Sequence, residues 1–283
     1  MAVVNLFYIS LLLPPLFLLF LLFLIIRPRP VQIPIKKRHV FITGGSSGIG
    51  LALAHQAASE GAHVSILSRS IDKLEEAKNA IKLSAGIDVA IFAADVRDFE
   101  AVQRAVDEAG PIDVLIVNQG VFVAQELEEQ KLDEVKFIID VNLMGSFNMI
   151  KAALPGMKRS RKDRGPGSVA LMSSQAGQVG IYGYTAYSAT LQQEVIGDNI
   201  HVSLVFPPDT ETPGLVEENK RKPQLTSIIA ASSGAMKADQ VAKKALDGIK
   251  SGSFIIPCNF EGILLSIATA GLAPSAIILD GIC

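Results

Sequence analysis

The sequence has 283 residues, with 26 Lys and Arg, 28 Asp and Glu, and a formal net charge of −2. This length is enough for one sizeable α/β domain with short additions. The near-neutral charge without a long basic stripe argues against a nucleic-acid-binding protein, and two cysteines are too few for a disulfide framework.

The chain opens with an apolar segment. Residues 6–26 carry no charge, and basic residues follow at once, beginning with Arg27 and Arg29. A helix of this length covers about 30 Å, the hydrocarbon thickness of a bilayer. A cleaved signal peptide is the alternative, but the run is long and Arg-Pro-Arg-Pro replaces a small-residue cleavage site. We therefore predict a transmembrane anchor at residues 1–26 and a cytosolic domain behind its basic flank.

A Pro-rich basic linker at 27–37 precedes a region of alternating pattern at 38–257. Short apolar runs, predicted as buried strands, lie at 39–43, 63–67, 89–93, 114–117, 169–172 and 201–206. Amphipathic stretches, predicted as helices, lie at 49–59, 71–83, 98–109, 131–158 and 237–250. This alternation predicts an α/β fold with a single Rossmann-type, doubly wound parallel sheet.

Residues 258–283 form an apolar C-terminal segment, uncharged from 262 to 279. Two interpretations stay open for it. It is either a segment associated with the membrane or a truncated strand and helix.

A glycine-rich turn follows the first predicted strand and reads Thr-Gly-Gly-Ser-Ser-Gly-Ile-Gly from position 43. Glycines there permit a tight turn and let the backbone approach a pyrophosphate at a helix N-terminus. The turn lies in the first strand–helix connection, where this mechanism requires it, so we predict dinucleotide binding. The contacts are assigned to Gly44, Ser46, Ser47, Gly48, Ile49 and Gly50.

The end of the second strand indicates which dinucleotide is bound. An NAD site places Asp or Glu there to hold the ribose 2′-hydroxyl. Here Arg69 ends the strand and Lys73 follows one turn later. Because a guanidinium suits a 2′-phosphate, we predict NADPH as the cofactor; the alternative is a solvated surface arginine.

Together these motifs resemble the short-chain dehydrogenase/reductase family, whose glycine motif is Thr-Gly-x-x-x-Gly-x-Gly. The resemblance implies that Asp95 contacts adenine, that Asn118 and Gly120 line the cofactor site, and that Asn142 supports a proton relay. Gln119 departs from the alanine that the family usually has between Asn118 and Gly120.

The resemblance also assigns the catalytic residues. Tyr187 matches the family's proton donor and cofactor contact, and the usual serine-to-tyrosine spacing of thirteen selects Ser174, with Ser173 as the adjacent fallback. Tyr187 would donate its proton to the developing alkoxide, and Ser174 would hydrogen-bond the same oxygen. No Cys, His or Asp cluster has metal-ligand spacing, so no metal is expected.

One departure concerns the family's Tyr-x-x-x-Lys motif, because Leu191 stands where the lysine should be. Family members also carry about ten more residues before the Pro-Pro at 207–208, and their loss shortens a helix by about 15 Å. Little or no reductase activity is therefore predicted for this chain. In the family this helix packs between subunits, so a homo-oligomer should be weakened. An isoform and a gene-model artefact both explain such a gap.

A narrower resemblance rests on Ser-Ser-Gln-Ala-Gly-Gln at 173–178 and Pro-Pro-Asp-Thr-Glu-Thr-Pro-Gly at 207–214. It is to the membrane-bound branch that reduces the ketone of a long-chain sphingoid base with NADPH. This implies a long-chain lipid ketone as substrate and the endoplasmic reticulum membrane as location, with the domain facing the cytosol. Two alternatives stay open: a reductase of a steroid or retinoid carbonyl, and a non-catalytic NADPH-binding membrane protein that modulates an active subunit.

Overall fold

A computed structural model describes residues 13–15, 17–18, 31–123, 125, 129–177, 196–220, 222, 227 and 234–268. The chain divides into two compact units, one of residues 1–30 with 273–283 and the other of residues 31–272. In the first unit, the described residues 13–15 and 17–18 are helical. The rest of the predicted anchor at 6–26 lies outside the described residues, and the anchor stays a prediction.

The second unit contains a seven-stranded parallel sheet and a two-stranded one. The strands are β1 (His39–Thr43), β2 (His63–Ser68), β3 (Ala90–Ala93), β4 (Val114–Val117), β5 (Gly167–Met172), β6 (Ile200–Phe206), β7 (Thr210–Glu211), β8 (Met236–Lys237) and β9 (Ile255–Pro257). The large sheet has the order β3-β2-β1-β4-β5-β6-β9, and β7 pairs with β8. The predicted α/β class and parallel sheet are confirmed, and β9 adds a seventh strand that the sequence did not predict.

The helices are α1 (Gly48–Ser59), α2 (Ile71–Ala85), α3 (Phe99–Ala109), α4 (Leu132–Ile139), α5 (Gly145–Arg164), α6 (Pro213–Asn219), α7 (Ala238–Lys250) and α8 (Phe260–Ala268). Four predicted helices agree with α1, α2, α3 and α7 to within two residues at each end. The predicted helix at 131–158 is also confirmed, but a π-helix at Asp140–Met144 separates α4 from α5, and α5 continues to Arg164. Such π-helical turns are rare and frequently mark functional sites.

Helices cover the sheet on both faces, and β1 shows how. Val40 and Ile42 are fully buried in one core cluster, to which α1, α2 and α7 contribute. Phe41 is fully buried in the opposite cluster, with residues of α3 and α5. Neighbouring strand residues face opposite sides, so a strand buried on both faces is apolar throughout. Each such buried side chain contributes about 1.5–3 kcal/mol.

The stretch Leu132–Arg164, formed by α4, the π-helix and α5, is long and apolar enough to cross a bilayer by length and composition. It has 33 residues, an 18-residue window within it has a mean hydropathy of 1.3, and it lies inside the domain sequence rather than at the N-terminus. Its α5 portion buries Met149, Ala152 and Met157 in the core beneath the sheet. This is the packing expected of a core helix that forms one layer of the fold.

A buried ion cluster lies at the amino end of the sheet, centred on Asp113 just before β4. Asp113 is fully buried and pairs with Arg38, Arg161 and Arg164 at N–O separations that include 3.2 and 2.8 Å. It also accepts a hydrogen bond from the backbone N–H of His39 at 3.0 Å. Burial alone would raise the pKa of Asp113, but the hydrogen bonds from Arg164, His39 and Arg161 hold it well below its usual range. The cluster ties α5 to the starts of β1 and β4.

Candidate active site

The glycine-rich turn connects β1 to α1 at the carboxyl edge of the sheet, where α/β folds bind ligands. Gly44 and Gly48 have φ of +63° and +54°, a conformation that residues with a Cβ rarely adopt. A Cβ on Gly50 would clash with the Gly44 carbonyl oxygen and come 2.5 Å from Asn118 Nδ2. The turn therefore requires glycine at all three positions.

The residues predicted to bind a pyrophosphate lie in this turn or in the first turn of α1. Ser47 is the N-cap of α1, and its side chain makes no capping hydrogen bond to the helix. The first backbone N–H groups of a helix have no intrahelical acceptors, and the helix dipole favours an anion there. Ser46 and Ile49 flank this N-terminus along the chain. This geometry fits a bound diphosphate.

Asn118 holds the turn from the end of β4. Its Nδ2 donates to the Thr43 carbonyl at 3.1 Å, and its backbone N–H donates to Thr43 Oγ1 at 2.9 Å. Gly120 follows as an exposed residue, and a Cβ there would lie 3.9 Å from Asn142 Oδ1. The structure thus brings together the predicted cofactor residues of two neighbouring strands.

Arg69 and Lys73 lie on the same edge, at the end of β2 and in the first turn of α2, and both are exposed. The Ser70 side chain caps α2 by accepting from the Lys73 N–H at 3.4 Å. Within the described part of the chain, the buried Oγ of Ser68 has no hydrogen-bond partner.

Asp95 follows β3, and its carboxylate is paired with Arg97, a residue that the sequence did not single out. Arg97 donates to both carboxylate oxygens of Asp95, with separations of 3.1 Å from Nε and 2.7 Å from Nη2. Hydrogen bonds from the Arg97 side chain lower the pKa of Asp95, so the group is a carboxylate at neutral pH. An adenine at this position would meet a charged pair rather than a lone acid.

Asn142 lies in the π-helix and faces the loop after β4. Its Oδ1 accepts from the Val121 N–H at 2.8 Å, and its Nδ2 donates to the Val121 carbonyl at 2.7 Å. The Asn142 carbonyl accepts from Ser146 Oγ at 2.6 Å. The π-helix therefore carries this predicted relay residue directly against the loop that contains Asn118 and Gly120.

The two candidate serines end β5 but have different surroundings. Ser174 is exposed, whereas Ser173 is partly buried and donates its N–H to the Val205 carbonyl at 2.9 Å. A Cβ on Gly177 would lie 2.8 Å from Ser173 Oγ, so this hydroxyl lies against the following 3₁₀ turn, Gln175–Gly177. The exposure of Ser174 agrees with its selection as the catalytic serine.

The loop after β6 lies near the glycine turn. A Cβ on Gly48 would lie 3.1 Å from the methyl group of Thr212, the N-cap residue of α6. Asp209 in this loop pairs with Lys222 at 2.9 Å, and Lys222 is almost fully buried. Burial would lower the pKa of Lys222, but the hydrogen bond that Lys222 donates to Asp209 and the charge of Glu218 raise it. No sequence pattern predicts this ion pair, since thirteen residues separate its partners.

Tyr187 and Leu191 lie in the segment 178–195, outside the described residues. Their predicted roles, and the predicted gap beside them, stay predictions. Among the residues described, no group of three His, Cys, Asp or Glu side chains could hold a metal ion.

Comparison with known proteins shows which family and which relatives the chain is similar to. The family model for short chain dehydrogenases matches residues 38–223. The 3-dehydrosphinganine reductase TSC10A of Arabidopsis thaliana is 64% identical over 261 residues, covering 89% of this chain and 80% of the relative. The 3-ketodihydrosphingosine reductase of Mus musculus is 35% identical over 283 residues, covering 94% of this chain and 83% of the relative.

Solved structures agree on the fold. The L-sorbose reductase of Gluconobacter frateurii, complexed with NADPH and L-sorbose, has a TM-score of 0.68 at 25% identity and covers 81% of this chain and 98% of its own. Levodione reductase has a TM-score of 0.71 at 24% identity, covering 82% and 99%.

The match to the Arabidopsis relative is longer than the part of this chain that it covers. It spans 261 residues, yet it takes up 89% of the 283 residues here, about 252. About nine positions of the match therefore have no counterpart in this chain. This number is close to the ten residues predicted to be missing after Tyr187.

Proposed function

The chain belongs to the short-chain dehydrogenase family, and on this premise we propose that it is built for the NADPH-dependent reduction of 3-ketodihydrosphingosine to dihydrosphingosine in sphingolipid biosynthesis. The observation that carries the proposal is the 64% identity to a 3-dehydrosphinganine reductase over 89% of this chain. The glycine turn, Asn118, Asn142 and Ser174 stand in a geometry that suits this chemistry.

NADPH, when bound, supplies the hydride that reduces the ketone. The glycine turn and the N-terminus of α1 hold the diphosphate, and Arg69 with Lys73 holds the 2′-phosphate. Tyr187 gives its phenolic proton to the oxygen of the ketone while Ser174 donates a hydrogen bond to the same oxygen. Asn142 supports the path by which Tyr187 regains its proton.

Turnover by this chain is proposed to be low. Leu191 replaces the lysine whose ammonium lowers the phenol pKa in the family and holds the nicotinamide ribose. The number of positions of the Arabidopsis match without a counterpart here, about nine, is close to the ten residues that the shortened helix would lack. A second candidate function follows from the same observations: an NADPH-binding membrane protein that modulates an active subunit without catalysis of its own.

The membrane location is part of the proposal. Residues 6–26 anchor the chain in the endoplasmic reticulum, and the domain faces the cytosol, because basic residues follow the apolar run. An anchored enzyme meets a substrate whose alkyl chain partitions into lipid. Protease added to sealed microsomes should digest the domain; protection that persists until detergent is added would place the domain in the lumen and refute this part.

The direct test is an assay of the full-length chain in lipid vesicles with 3-ketodihydrosphingosine and NADPH. A steroid ketone and a retinoid aldehyde serve as matched substrates, and Tyr187→Phe as the inactive control. Slow reduction of the sphingoid ketone alone, abolished in Tyr187→Phe, supports the proposal. Preference for the steroid or retinoid would overturn the substrate. NADPH binding without any turnover would favour the non-catalytic candidate.

A further inference from the structure

Gln119 stands where the family usually has alanine, and its side chain connects two parts of the site. It is the second residue after β4 and is partly buried. Its Oε1 accepts a hydrogen bond from Thr43 Oγ1, at the start of the glycine turn. Its Nε2 donates to Ser146 Oγ at 3.2 Å and to the Val141 carbonyl at 3.5 Å. One side chain therefore bridges β1 and the helix that carries Asn142.

At the first end, Gln119 completes the hydrogen bonding of a buried hydroxyl. Thr43 is fully buried, and its Oγ1 accepts from the N–H groups of Asn118 and Gln119 at 2.9 and 3.3 Å. A hydroxyl has two acceptor sites and one proton. That proton can go to Gln119 Oε1 or to the Ile116 carbonyl, which is 3.4 Å away and a poor acceptor at that distance. With alanine at position 119, the Thr43 hydroxyl would be left with the Ile116 carbonyl, the poor acceptor of the two.

At the other end, Gln119 is bonded to the π-helix and the first turn of α5. Ser146 Oγ accepts from Gln119 and donates to the Asn142 carbonyl at 2.6 Å, so the two residues form a short relay of hydrogen bonds. Val141, next to Asn142, accepts from Gln119 directly. The Gln119 amide thus holds the backbone around Asn142 from the segment after β4, in addition to the contact of the Asn142 side chain with Val121.

We propose that Gln119 is a positioning residue that couples the cofactor-binding turn to Asn142. It acts through Thr43 on the turn and through Val141 and Ser146 on the π-helix. The inference rests on the proposed function only in that both parts serve an NADPH-dependent reduction. The coupling itself is a property of the protein without cofactor.

Gln119→Met tests the coupling because methionine has a similar length and no amide. Hydrogen exchange followed by mass spectrometry on the full chain without cofactor should show faster exchange at both 43–50 and 140–146. The Kd for NADPH should rise about tenfold, as expected for the net loss of one hydrogen bond. Gln103→Met on α3, where the amide donates to Asp107 at 3.0 Å, is the matched control and should change neither.

Gln119→Glu separates the two ends of the bridge. It keeps an acceptor for Thr43 and removes the donors to Val141 and Ser146, so exchange should rise at 140–146 and stay unchanged at 43–50. If Gln119→Met fails to fold, exchange at 140–146 in Gln119→Glu still tests the coupling. Faster exchange confined to 118–121 in either variant, with NADPH affinity unchanged, would overturn the inference. Failure of the wild-type chain to prefer NADPH, or preference for a steroid or retinoid carbonyl over the sphingoid ketone, would instead count against the proposed function.

Discussion

Asn142 is hydrogen-bonded to both backbone polar groups of Val121, accepting from its N–H at 2.8 Å and donating to its carbonyl at 2.7 Å. The two residues are 21 positions apart, and the contact joins the π-helix to the loop after β4. A side-chain amide can make this double contact, whereas a carboxylate cannot, because it lacks a donor.

Asn142→Asp should therefore weaken the loop after β4. Replacing the donor with a charged acceptor leaves the Val121 carbonyl unpaired and costs about 1–3 kcal/mol. Urea denaturation of the detergent-solubilised chain should show a lower midpoint, and hydrogen exchange at 119–123 should be faster. Asn79→Asp, on the exposed side of α2, makes the same chemical change without such a contact and should leave both unchanged. Equal effects of the two variants would contradict the role given to Asn142.

Arg69→Ala should reduce the affinity for NADPH and leave that for NADH nearly unchanged. A charge-assisted contact to the 2′-phosphate is worth about 1.5–3 kcal/mol, which corresponds to roughly a 10- to 150-fold rise in Kd. Titration of both cofactors, followed by nicotinamide fluorescence, measures this. Lys82→Ala, at the far end of α2, is the control for a general loss of positive charge. NADH binding to the wild type as tightly as NADPH would refute the cofactor assignment.

Leu191→Lys alone should not restore reductase activity. An unperturbed phenol titrates near 10, so Tyr187 can still hold a proton at neutral pH. The lost lysine also removes a contact to the nicotinamide ribose, and misplacement of reacting groups by about 1 Å can cost on the order of 10² in rate. Insertion of the family's ten-residue segment with its lysine should raise kcat by about 10²–10⁴.

The control for that insertion is the same segment with its lysine replaced by leucine, which restores helix length alone. Activity of the unmodified chain equal to that of the restored one would contradict the account. Rescue by Leu191→Lys would show that the lysine matters and the helix length does not.

Asp113→Asn should destabilise the domain and make its free energy of unfolding less dependent on pH in acid. Removing one partner of a buried ion cluster costs about 3–5 kcal/mol. Because the pKa of Asp113 is depressed on folding, the carboxylate stabilises the fold above its unfolded pKa near 3.9 and loses that effect as the pH falls. Urea denaturation between pH 2.5 and 7 should show a steeper acid decline for wild type. Asp88→Asn, which removes an exposed pair with Lys78 at 3.7 Å, should cost less than about 1 kcal/mol.

Sequence patterns predicted the strands and the glycine turn well because both depend on local chemistry. The run from His39 to Thr43 is apolar and β-branched, and the glycines that follow it are the residues that a tight strand-to-helix turn requires. The π-helix was not predicted, since Asp140–Met144 has the same apolar periodicity as the helices on either side of it. What distinguishes this stretch is the set of tertiary hydrogen bonds that Asn142 and Gln119 make there, and these depend on residues distant in the sequence.

Long-range polar contacts also could not be predicted from the sequence. Asp113 and its arginines come from three separate parts of the chain, and Asp209 with Lys222 comes from two. Each of these side chains, taken alone, looks like an ordinary surface charge. Burial turns them into structural pairs, and burial depends on the assembled fold.

The sheet order has a consequence for how the chain is made on the ribosome. Val40 of β1 pairs with Val114 of β4, so one edge of β1 cannot be completed until more than seventy further residues have been synthesised. Until then the nascent chain has β1, β2 and β3 together with an open, apolar edge. Such edges pair readily with other chains, and late long-range pairing slows folding. That edge of β1 therefore stays unpaired on the growing chain until β4 emerges.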